Sequence, residues 1–399
     1  GGILSIYNSS FMRKAFETAF SRCGYTSPNP PVGAVLVKDG RIISSGGTQV
    51  CGGDHAEVCA INSAGEDSIG SELYVTLEPC SHYGKTPPCT DKIISSGIKR
   101  VYLPILDCNP KVSGNGVRIL KENGIDVIIA EDFKDYAIDI YRPFFTMIEK
   151  KRSYLIHKSA VTIDGFIADI NGSSKWISNE ISRFISHRLR ALNDAVIVGK
   201  NTLISDNPSL DVRLSDFDIN GFIFENVLIS GYQSEILSNL FSRNDVCSSQ
   251  PLRVVVGFSE KYTRNMNFFR DNNFIIYETK EYDTELFAEL LKLGKIRILP
   301  EKGYFSNILS DLASIGIMST MLEGGGRVSG GFLNEDVIDE EFLFIAPKIF
   351  IDGIKVFSGS NALNNQTSKN LFDISSCSLN DDLLYHAYYR KRSDVYRNY

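Results

Sequence analysis

The sequence predicts an α/β protein with two domains. Strand-like apolar runs alternate with helical segments along most of the 399 residues, and this alternation gives parallel or mixed sheets covered by helices. The length exceeds what one hydrophobic core comfortably serves, which favours two or three domains. With 43% hydrophobic and 23% charged residues, the composition is that of a globular protein.

The charge and composition narrow the function classes. A net charge of −6 offers no general attraction for phosphate backbones, so we expect a small-molecule substrate rather than nucleic acid. No run approaches the roughly 18 consecutive apolar residues of a membrane span, and no secretory leader is recognised. We therefore expect a cytoplasmic protein without a membrane partner. Its eight cysteines are then expected to be free thiols and metal ligands.

The elements of the first domain, expected over residues 1–150, follow in order. Ser9 and Ser10 are expected to cap a helix over residues 11–20, and Asp39-Gly40 predicts a hairpin between two strands. Later strands are predicted at 73–77, 99–105 and 125–129, with helices at 90–96 and 119–123. A helix over 131–151, broken late by Pro143, leads to a boundary near residue 150.

The stretch from Asp54 to Cys89 carries a metal-binding pattern. His55, Cys80 and Cys89 are suitable zinc ligands, and three protein ligands leave a fourth tetrahedral position for water. Glu57 is placed to move protons there, and the His-x-Glu and Pro-Cys pairing is the signature of zinc deaminases. The alternative, that these are ordinary core residues, is disfavoured by the correctly spaced glutamate and the flanking prolines.

The second domain is expected over residues 151–399. Its predicted strands are 154–162, 195–198, 252–256, 274–277, 319–322 and 340–346, with helices over 180–192, 284–293 and 308–315. Residues 215–250 break this rhythm and predict a surface insertion. The segment 323–326, Glu-Gly-Gly-Gly, follows a strand and opens a helix, where backbone N–H groups can hold a phosphate; a tight turn explains the glycines equally well.

Longer segments resemble one enzyme family. The run from Cys80 to Cys89 closely resembles the deaminase half of the bifunctional riboflavin-biosynthesis deaminase/reductase. Motifs at 158–165, 174–178, 187–190, 198–202, 206–213 and 323–326 occur in the order and spacing of its reductase half. The resemblance implies a cytidine-deaminase-like domain followed by a dihydrofolate-reductase-like domain, with Zn²⁺ and NADPH as cofactors.

The resemblance also implies the residues of both sites. The deaminase substrate would contact Asn29, His82, Lys85, Asp107 and Asn109. NADPH would contact Ala160, Trp176, Thr202, Asp206 and the glycines Gly324, Gly325 and Gly326, and the reductase substrate would contact Ser174, Arg190, Leu210, Arg213 and Glu323. The two arginines suit a ribose phosphate, because a guanidinium grips it bidentately; surface ion pairing is the other interpretation. Lys158, Asp164 and Glu323 are candidate acids for the reduction.

The activity so implied is two successive reactions on one phosphoribosyl pyrimidine. The first is deamination of 2,5-diamino-6-ribosylamino-4(3H)-pyrimidinone 5′-phosphate, in which Glu57 carries protons. The second is reduction of the ribosyl group by NADPH, which gives 5-amino-6-ribitylamino-uracil phosphate. We expect the enzyme to be a homo-oligomer.

Three positions depart from the family pattern. Thr48 stands where the family has a histidine, Cys108 where it has a proline, and Gly257-Phe258 where it has an acidic and a small hydroxyl residue. Two alternatives therefore stay open. A nucleoside or free-base deaminase joined to an unrelated oxidoreductase would not need the 5′-phosphate, and a ligand-sensing protein would release no ammonia. The complete set of zinc ligands with Glu57 favours an enzyme.

Overall fold

A computed structural model describes residues 7–84, 87–109, 113–174, 177–214, 229–231, 240, 250–359 and 363–396. The chain divides into two compact units between Lys150 and Lys151. Residues 392–396, which the sequence placed in the second domain, group with the first unit. None of the helices in the described residues combines the length and the apolar character needed to cross a membrane.

The first unit is built on one mixed sheet. Its strands are β1 (Gly33–Lys38), β2 (Arg41–Gly47), β3 (Glu72–Val75), β4 (Arg100–Leu103) and β5 (Asp126–Ile129), in the order β2-β1-β3-β4-β5. β1 pairs antiparallel with β2 and β3, whereas β3, β4 and β5 are parallel. The predicted Asp-Gly hairpin between β1 and β2 is confirmed, since Asp39 and Gly40 have positive φ values of 51° and 73°.

The helices of the first unit correct two predictions. They are α1 (Ser9–Phe20), α2 (Ala56–Ala64), α3 (Cys89–Ser95), α4 (Asn115–Glu122) and α5 (Lys134–Lys150), with a short helix at Arg392–Val395. α1 is capped by Asn8, whose side chain accepts a hydrogen bond from the Ser10 amide. The expected break at Pro143 is wrong, because α5 runs through it. The buried side chains around it, such as Tyr141 and Phe145, stabilise the helix by tertiary packing.

A close approach between α2 and β2 fixes the start of α2. A Cβ atom on Gly46 would lie 2.4 Å from the Ala56 carbonyl oxygen and 2.5 Å from the Ala60 nitrogen. Only glycine therefore allows the helix backbone to come this near to the strand. The contact sets the position of the first turn of α2. His55 is the N-cap of this helix, and Glu57 is its second residue.

The second unit is built on a larger sheet. Its strands are β6 (Tyr154–Thr162), β7 (Phe166–Ala168), β8 (Ala195–Gly199), β9 (Ile229–Gly231), β10 (Leu252–Val256), β11 (Phe274–Glu278), β12 (Ile296–Ile298), β13 (Ser319–Leu322), β14 (Glu340–Ala346), β15 (Ile354–Lys355), β16 (Phe372–Leu379) and β17 (Asp382–Tyr388). Ten of them form one sheet in the order β12-β11-β10-β8-β13-β6-β14-β17-β16-β9, and β7 pairs separately with β15. From β12 to β14 the neighbours are parallel, and the last three strands are antiparallel.

Helices cover this sheet and bury both of its faces. They are α6 (Glu180–Ala191), α7 (Lys200–Asp206), α8 (Glu285–Lys292), α9 (Tyr304–Ser314) and α10 (Gly326–Asn334). On β8, Ile197 belongs to one hydrophobic cluster, while its neighbours Val196 and Val198 belong to another. Successive side chains of a strand point to opposite faces, so the continuous apolar runs seen in the sequence are those of doubly covered parallel strands.

The predicted insertion at residues 215–250 lies largely outside the described residues. Within it, β9 pairs antiparallel with β16. Leu240 is fully buried and belongs to the hydrophobic cluster around Tyr154 and Phe184. These described parts are therefore integrated into the sheet and the core.

A buried ion pair joins the first strand of the second unit to the start of β14. Arg152 donates to both carboxylate oxygens of Asp339 at 2.6 and 2.7 Å, and Asp339 also accepts from the Leu155 amide at 2.9 Å. Arg152→Leu leaves this carboxylate buried without its cation, so we expect the free energy of unfolding of the second unit to fall by about 3 kcal/mol. Urea denaturation followed by the fluorescence of Trp176, the only tryptophan, measures it.

The matched control removes an exposed ion pair instead. Lys369 lies 2.7 Å from Asp336, and both side chains are about a third or more exposed. Lys369→Ala is expected to change the same free energy by less than about 1 kcal/mol. Equal effects of the two substitutions would contradict the role given to Arg152.

Candidate active sites

The metal-type residues of the first unit come together at helix starts. His55 is the N-cap of α2, Cys89 is the first residue of α3, and Cys80 lies in the loop after β3. The His55 Nδ1 atom lies 3.2 Å from the Cys89 sulfur and 3.6 Å from the Cys80 sulfur, and the three donor atoms lie within 4.8 Å of one another. One ion can therefore contact all three at zinc distances of about 2.0 Å for nitrogen and 2.3 Å for sulfur.

The charge of this donor set fits a divalent cation. Hydrogen bonds from Cys89 and His55 lower the pKa of the Cys80 thiol, and the Cys89 amide also donates to the Cys80 sulfur at 3.3 Å. The Cys80 sulfur and burial in turn raise the pKa of Cys89. Zinc takes both sulfurs as thiolates, so the ion would relieve this competition for one negative charge. The residues present therefore fit zinc, with Nδ1 as the coordinating atom of the ring.

Glu57 is buried beside these donors. It lies in the first turn of α2, is 4% exposed and lines the same cavity as His55 and Cys80. Burial raises the pKa of Glu57 to about 7, and the negative charge of Cys80 acts in the same direction. A bound divalent cation would act in the opposite direction. A carboxyl group so placed can accept and release a proton near neutral pH.

Two of the three zinc-type residues, His55 and Cys80, line a cavity of about 390 Å³, which we call the deaminase cavity. Of the predicted substrate residues, those that line it are Asn29, His82, Asp107 and Asn109. Lys85 lies outside the described residues. Three side chains of α5, Phe144, Met147 and Ile148, form an apolar part of the wall. The cavity therefore combines an apolar side with several hydrogen-bonding groups, as expected for a small polar heterocycle.

Glu78 is a wall residue that the sequence analysis missed. It is buried, and its carboxylate accepts hydrogen bonds from the amides of Asp107, Gly114 and Val117 at 2.9 to 3.1 Å. One side chain thus connects the zinc-ligand loop to the loop after β4 and to the start of α4. Its position directly before Pro79 and Cys80 could have marked it as a site residue, because the same motif supplies the metal ligand Cys80.

Two departures from the family pattern have local structural explanations. The Thr48 hydroxyl accepts a hydrogen bond from the Val32 amide at 3.1 Å, which ties the residue after β2 to the residue before β1. Thr48 also lines the deaminase cavity. Cys108 is almost fully buried and lies outside the cavity lining. Asp107 and Asn109, on either side of it, still line the cavity, and the Asn109 amide donates to Asp107 at 2.8 Å.

A second cavity, of about 270 Å³, lies within the second unit and is called the reductase cavity below. Of the predicted residues, those that line it are Ala160, Ser174, Thr202, Asp206, Glu323, Gly324 and Gly325. Trp176 lies outside the described residues. The lining also includes Lys158, Ser159, Ile167, Ile177, Ser178 and Arg183. Residues from β6, α7 and the loop between β13 and α10 thus meet in one place.

Glu323 is the charged centre of the reductase cavity. Lys158 lies 3.2 Å from one carboxylate oxygen and Arg190 lies 2.8 Å from the other. Although burial alone would raise it, the pKa of Glu323 is lowered to about 2 by these two cations. Glu323 is therefore held as an anion.

Four predicted residues lie outside the lining of this cavity. Gly326 packs against the β15 region, where an added Cβ would lie 2.2 Å from the Lys355 carbonyl oxygen. Arg190 reaches the site through Glu323, and Leu210 is buried with a positive φ of 54°. Arg213 is about half exposed and lies 3.2 Å from Asp211.

The third departure from the family pattern lies at the end of β10. Gly257 has a φ of 93°, and a Cβ there would lie 3.0 Å from the Lys200 side chain. The amide of the buried Phe258 donates to the Glu278 carboxylate at 2.8 Å. An acidic side chain thus lies near this turn, supplied by the neighbouring strand β11.

The fold and the first cavity define a zinc-dependent deaminase unit followed by a second α/β unit with a site of its own. Residues 6–105 match the model of the cytidine and deoxycytidylate deaminase zinc-binding region, and residues 153–385 match that of the RibD C-terminal domain. The chain belongs to the RibD family, the bifunctional deaminase/reductases of riboflavin biosynthesis. The family resemblance and the α/β fold predicted from the sequence are thereby confirmed.

Several relatives match over most of their length. The chain is 39% identical over 352 residues to the riboflavin biosynthesis protein RibD of Aquifex aeolicus, covering 88% of this chain and 89% of that protein. It is 34% identical to a solved diaminohydroxyphosphoribosylaminopyrimidine deaminase/5-amino-6-(5-phosphoribosylamino)uracil reductase from Thermotoga maritima, with a TM-score of 0.77 and coverage of 95% and 97%. RibD of Acinetobacter baumannii is 30% identical, with a TM-score of 0.76 and coverage of 95% and 98%.

The donor geometry predicts which cysteines hold the metal. We expect the purified protein to carry about one zinc ion per chain, and Cys89→Ser to retain less than about a tenth of it, because the alcohol is a far weaker zinc ligand than a thiolate. Elemental analysis by mass spectrometry measures the zinc content.

Cys59 provides the control on the same helix as Glu57. Its thiol donates to the Asp54 carbonyl oxygen at 3.8 Å, and it is not among the three clustered donors. Cys59→Ser should keep the full zinc content. Equal zinc content in all three proteins would contradict the assignment.

Proposed function

We propose that this chain deaminates 2,5-diamino-6-ribosylamino-4(3H)-pyrimidinone 5′-phosphate in its first unit and reduces the ribosyl group of the product with NADPH in its second. The observation that supports the first step best is the single cavity that holds His55, Cys80, Glu57 and four polar side chains. One mixture tests both steps: protein, zinc, the pyrimidinone phosphate and NADPH, followed for ammonia and for loss of nicotinamide absorbance.

In the proposed deamination, His55, Cys80 and Cys89 would hold the zinc ion. Zinc, when bound, supplies a Lewis acid that lowers the pKa of water enough to make it a nucleophile at neutral pH. Glu57 takes a proton from the attacking water and delivers it to the departing ammonia. Its burial removes competing water from around the carboxyl group and raises its pKa, which favours uptake of the proton from water.

The polar side chains of the deaminase cavity orient the substrate. Asn29 and Asn109 can donate hydrogen bonds to the edges of the pyrimidine and accept hydrogen bonds from them. His82 and Lys85, which are assigned from the sequence motif, would contact the phosphate. Burial raises the pKa of Asp107 to about 7, so this side chain is available as a hydrogen-bond donor as well as an acceptor. The apolar side of α5 packs against the face of the ring.

In the proposed reduction, the cofactor would lie along Ala160, Thr202, Asp206 and the Gly324-Gly325 backbone. The resemblance adds Trp176, which lies outside the described residues. NADPH, when bound, supplies the hydride that is added at C1′. The backbone at Gly325 leaves room for a phosphate, since a Cβ there would meet nothing nearer than the Thr202 hydroxyl at 3.7 Å.

Of the three candidate acids, we assign Lys158. Glu323 lines the reductase cavity but is held as an anion, so it has no proton to give. Asp164 lies outside the lining, and a hydrogen bond from Thr162 lowers its pKa. Lys158 lines the cavity with an ammonium group that has three N–H donors, and Glu323 orients it.

The proposal includes a cellular setting. An acidic chain acting on a phosphorylated metabolite with NADPH belongs in the cytoplasm, without nucleic acid or membrane partners. A homo-oligomer is proposed, and light scattering on the purified protein tests it.

The proton-carrying role of Glu57 predicts a selective loss. Glu57→Gln keeps the volume of the side chain but removes the proton acceptor, so ammonia release should fall by about a thousand-fold. Zinc content should stay unchanged. NADPH oxidation with 5-amino-6-(5-phosphoribosylamino)uracil supplied directly should also stay unchanged, because that substrate bypasses the first step.

Glu66→Gln serves as the control, since Glu66 is an exposed acid just after α2. It should leave both activities at the wild-type level. Deamination by Glu57→Gln at the wild-type rate would show that another group carries the proton.

The assignment of Arg213 to the substrate phosphate is tested by comparing substrates with and without the phosphate. Arg213→Ala should raise the reductase KM for the phosphorylated substrate about ten-fold and that for its dephosphorylated analogue less than about two-fold. Arg270→Ala is the control, because Arg270 also lies within 3.9 Å of Asp211 but is not assigned to the site. Equal changes for both substrates would remove Arg213 from the phosphate site.

A further inference from the structure

The described residues 392–396, called the 392–396 segment here, pack on α5 of the first unit. Arg392 donates to both oxygens of the Asp139 carboxylate, at 2.5 and 3.1 Å, and Asp139 is buried. Asp139 also receives the Arg142 guanidinium at 3.1 Å from within α5. Two cations therefore share one buried carboxylate, and a fixed geometry of this kind is costly to break.

Tyr396 extends from the same segment to a second element. Its ring packs on Phe145 of α5 with centroids 5.2 Å apart, and its hydroxyl donates to the Leu106 carbonyl oxygen at 3.3 Å. Tyr396 is 7% exposed, so both contacts are made away from bulk water. One side chain thus connects α5 with the loop that follows β4.

Both elements contribute to the wall of the deaminase cavity. α5 contributes Phe144, Met147 and Ile148, and the loop after β4 contributes Asp107 and Asn109. Tyr396 contacts each element at a residue next to one that lines the cavity, Phe145 beside Phe144 and Leu106 beside Asp107. The Asp107 amide also donates a hydrogen bond to Glu78, which lies two residues before the zinc-type residue Cys80.

We propose that Tyr396, anchored by the Arg392–Asp139 ion pair, is a positioning residue that sets the separation of the two substrate-binding walls of the deaminase cavity. It touches neither the zinc donors nor Glu57, so it acts on substrate binding and leaves the proton-transfer machinery in place. The role rests on the proposed deaminase function for its kinetic consequence, but its structural consequence is independent of any substrate.

The test uses the full chain with Tyr396→Phe, which keeps the ring and removes only the hydroxyl. Loss of one hydrogen bond should raise the deaminase KM about five-fold and leave kcat within about two-fold. Arg392→Ala, which frees the whole segment, should raise KM at least about ten-fold. Zinc content and NADPH oxidation with the deaminated substrate should match wild type, which shows that each variant is folded.

Hydrogen exchange gives a readout that needs no substrate. In both variants the amides of residues 103–109 should exchange faster than in wild type, while those of β1 should not. The control is Arg390→Ala, which removes an ion pair with Asp336 in the second unit, two residues before Arg392. It should change neither the deaminase KM nor exchange in residues 103–109.

Wild-type values of both KM and amide exchange in Tyr396→Phe and Arg392→Ala would overturn the proposal. A loss of zinc or of kcat at unchanged KM would also overturn it, because the segment would then act on the metal site. If the wild-type protein itself releases no ammonia, the proposed deaminase function fails, and the exchange data alone decide the role of Tyr396.

Discussion

Both cavities depend on one constraint, that the carboxyl ends of parallel strands meet at the same edge of a sheet. In the first unit, β3 and β4 are parallel neighbours, and the residues after them supply Glu78, Cys80 and Asp107. In the second unit, β8 and β13 are parallel neighbours, and the segments after them supply Thr202 and Glu323. Groups far apart in the sequence therefore converge at one edge of each sheet.

The two cavities use opposite electrostatics on their carboxyl groups. Glu57 and Asp107 are buried, and burial raises the pKa of each to about 7. The side chain of Glu323 is 12% exposed and lies between Lys158 and Arg190, which hold its pKa at about 2. The first cavity thus presents carboxyl groups that can exchange protons, as hydrolytic loss of an amine requires. The second presents a fixed anion that orients a cation.

The sequence predicted the parts of the molecule that local pattern determines. The zinc-type donors and Glu57 follow from residue type and spacing, and apolar runs predicted the five strands of the first sheet and six of the ten strands of the second. The sequence analysis did not predict the other four strands of the second sheet, β9, β12, β16 and β17. Long-range partners could not be read in this way. The three amides bound by Glu78, and the pairing of Arg392 with Asp139, join residues that only the folded chain brings together. Pro143 failed as a helix breaker for the same reason, since tertiary packing outweighed local propensity.

The grouping of residues 392–396 with the first unit has a consequence for how the protein is made. Domains generally fold in order as they leave the ribosome. Here the side chains that cover Asp139 and Phe145 are translated some 240 residues after α5. A nascent first unit therefore lacks these contacts until the second unit has been synthesised.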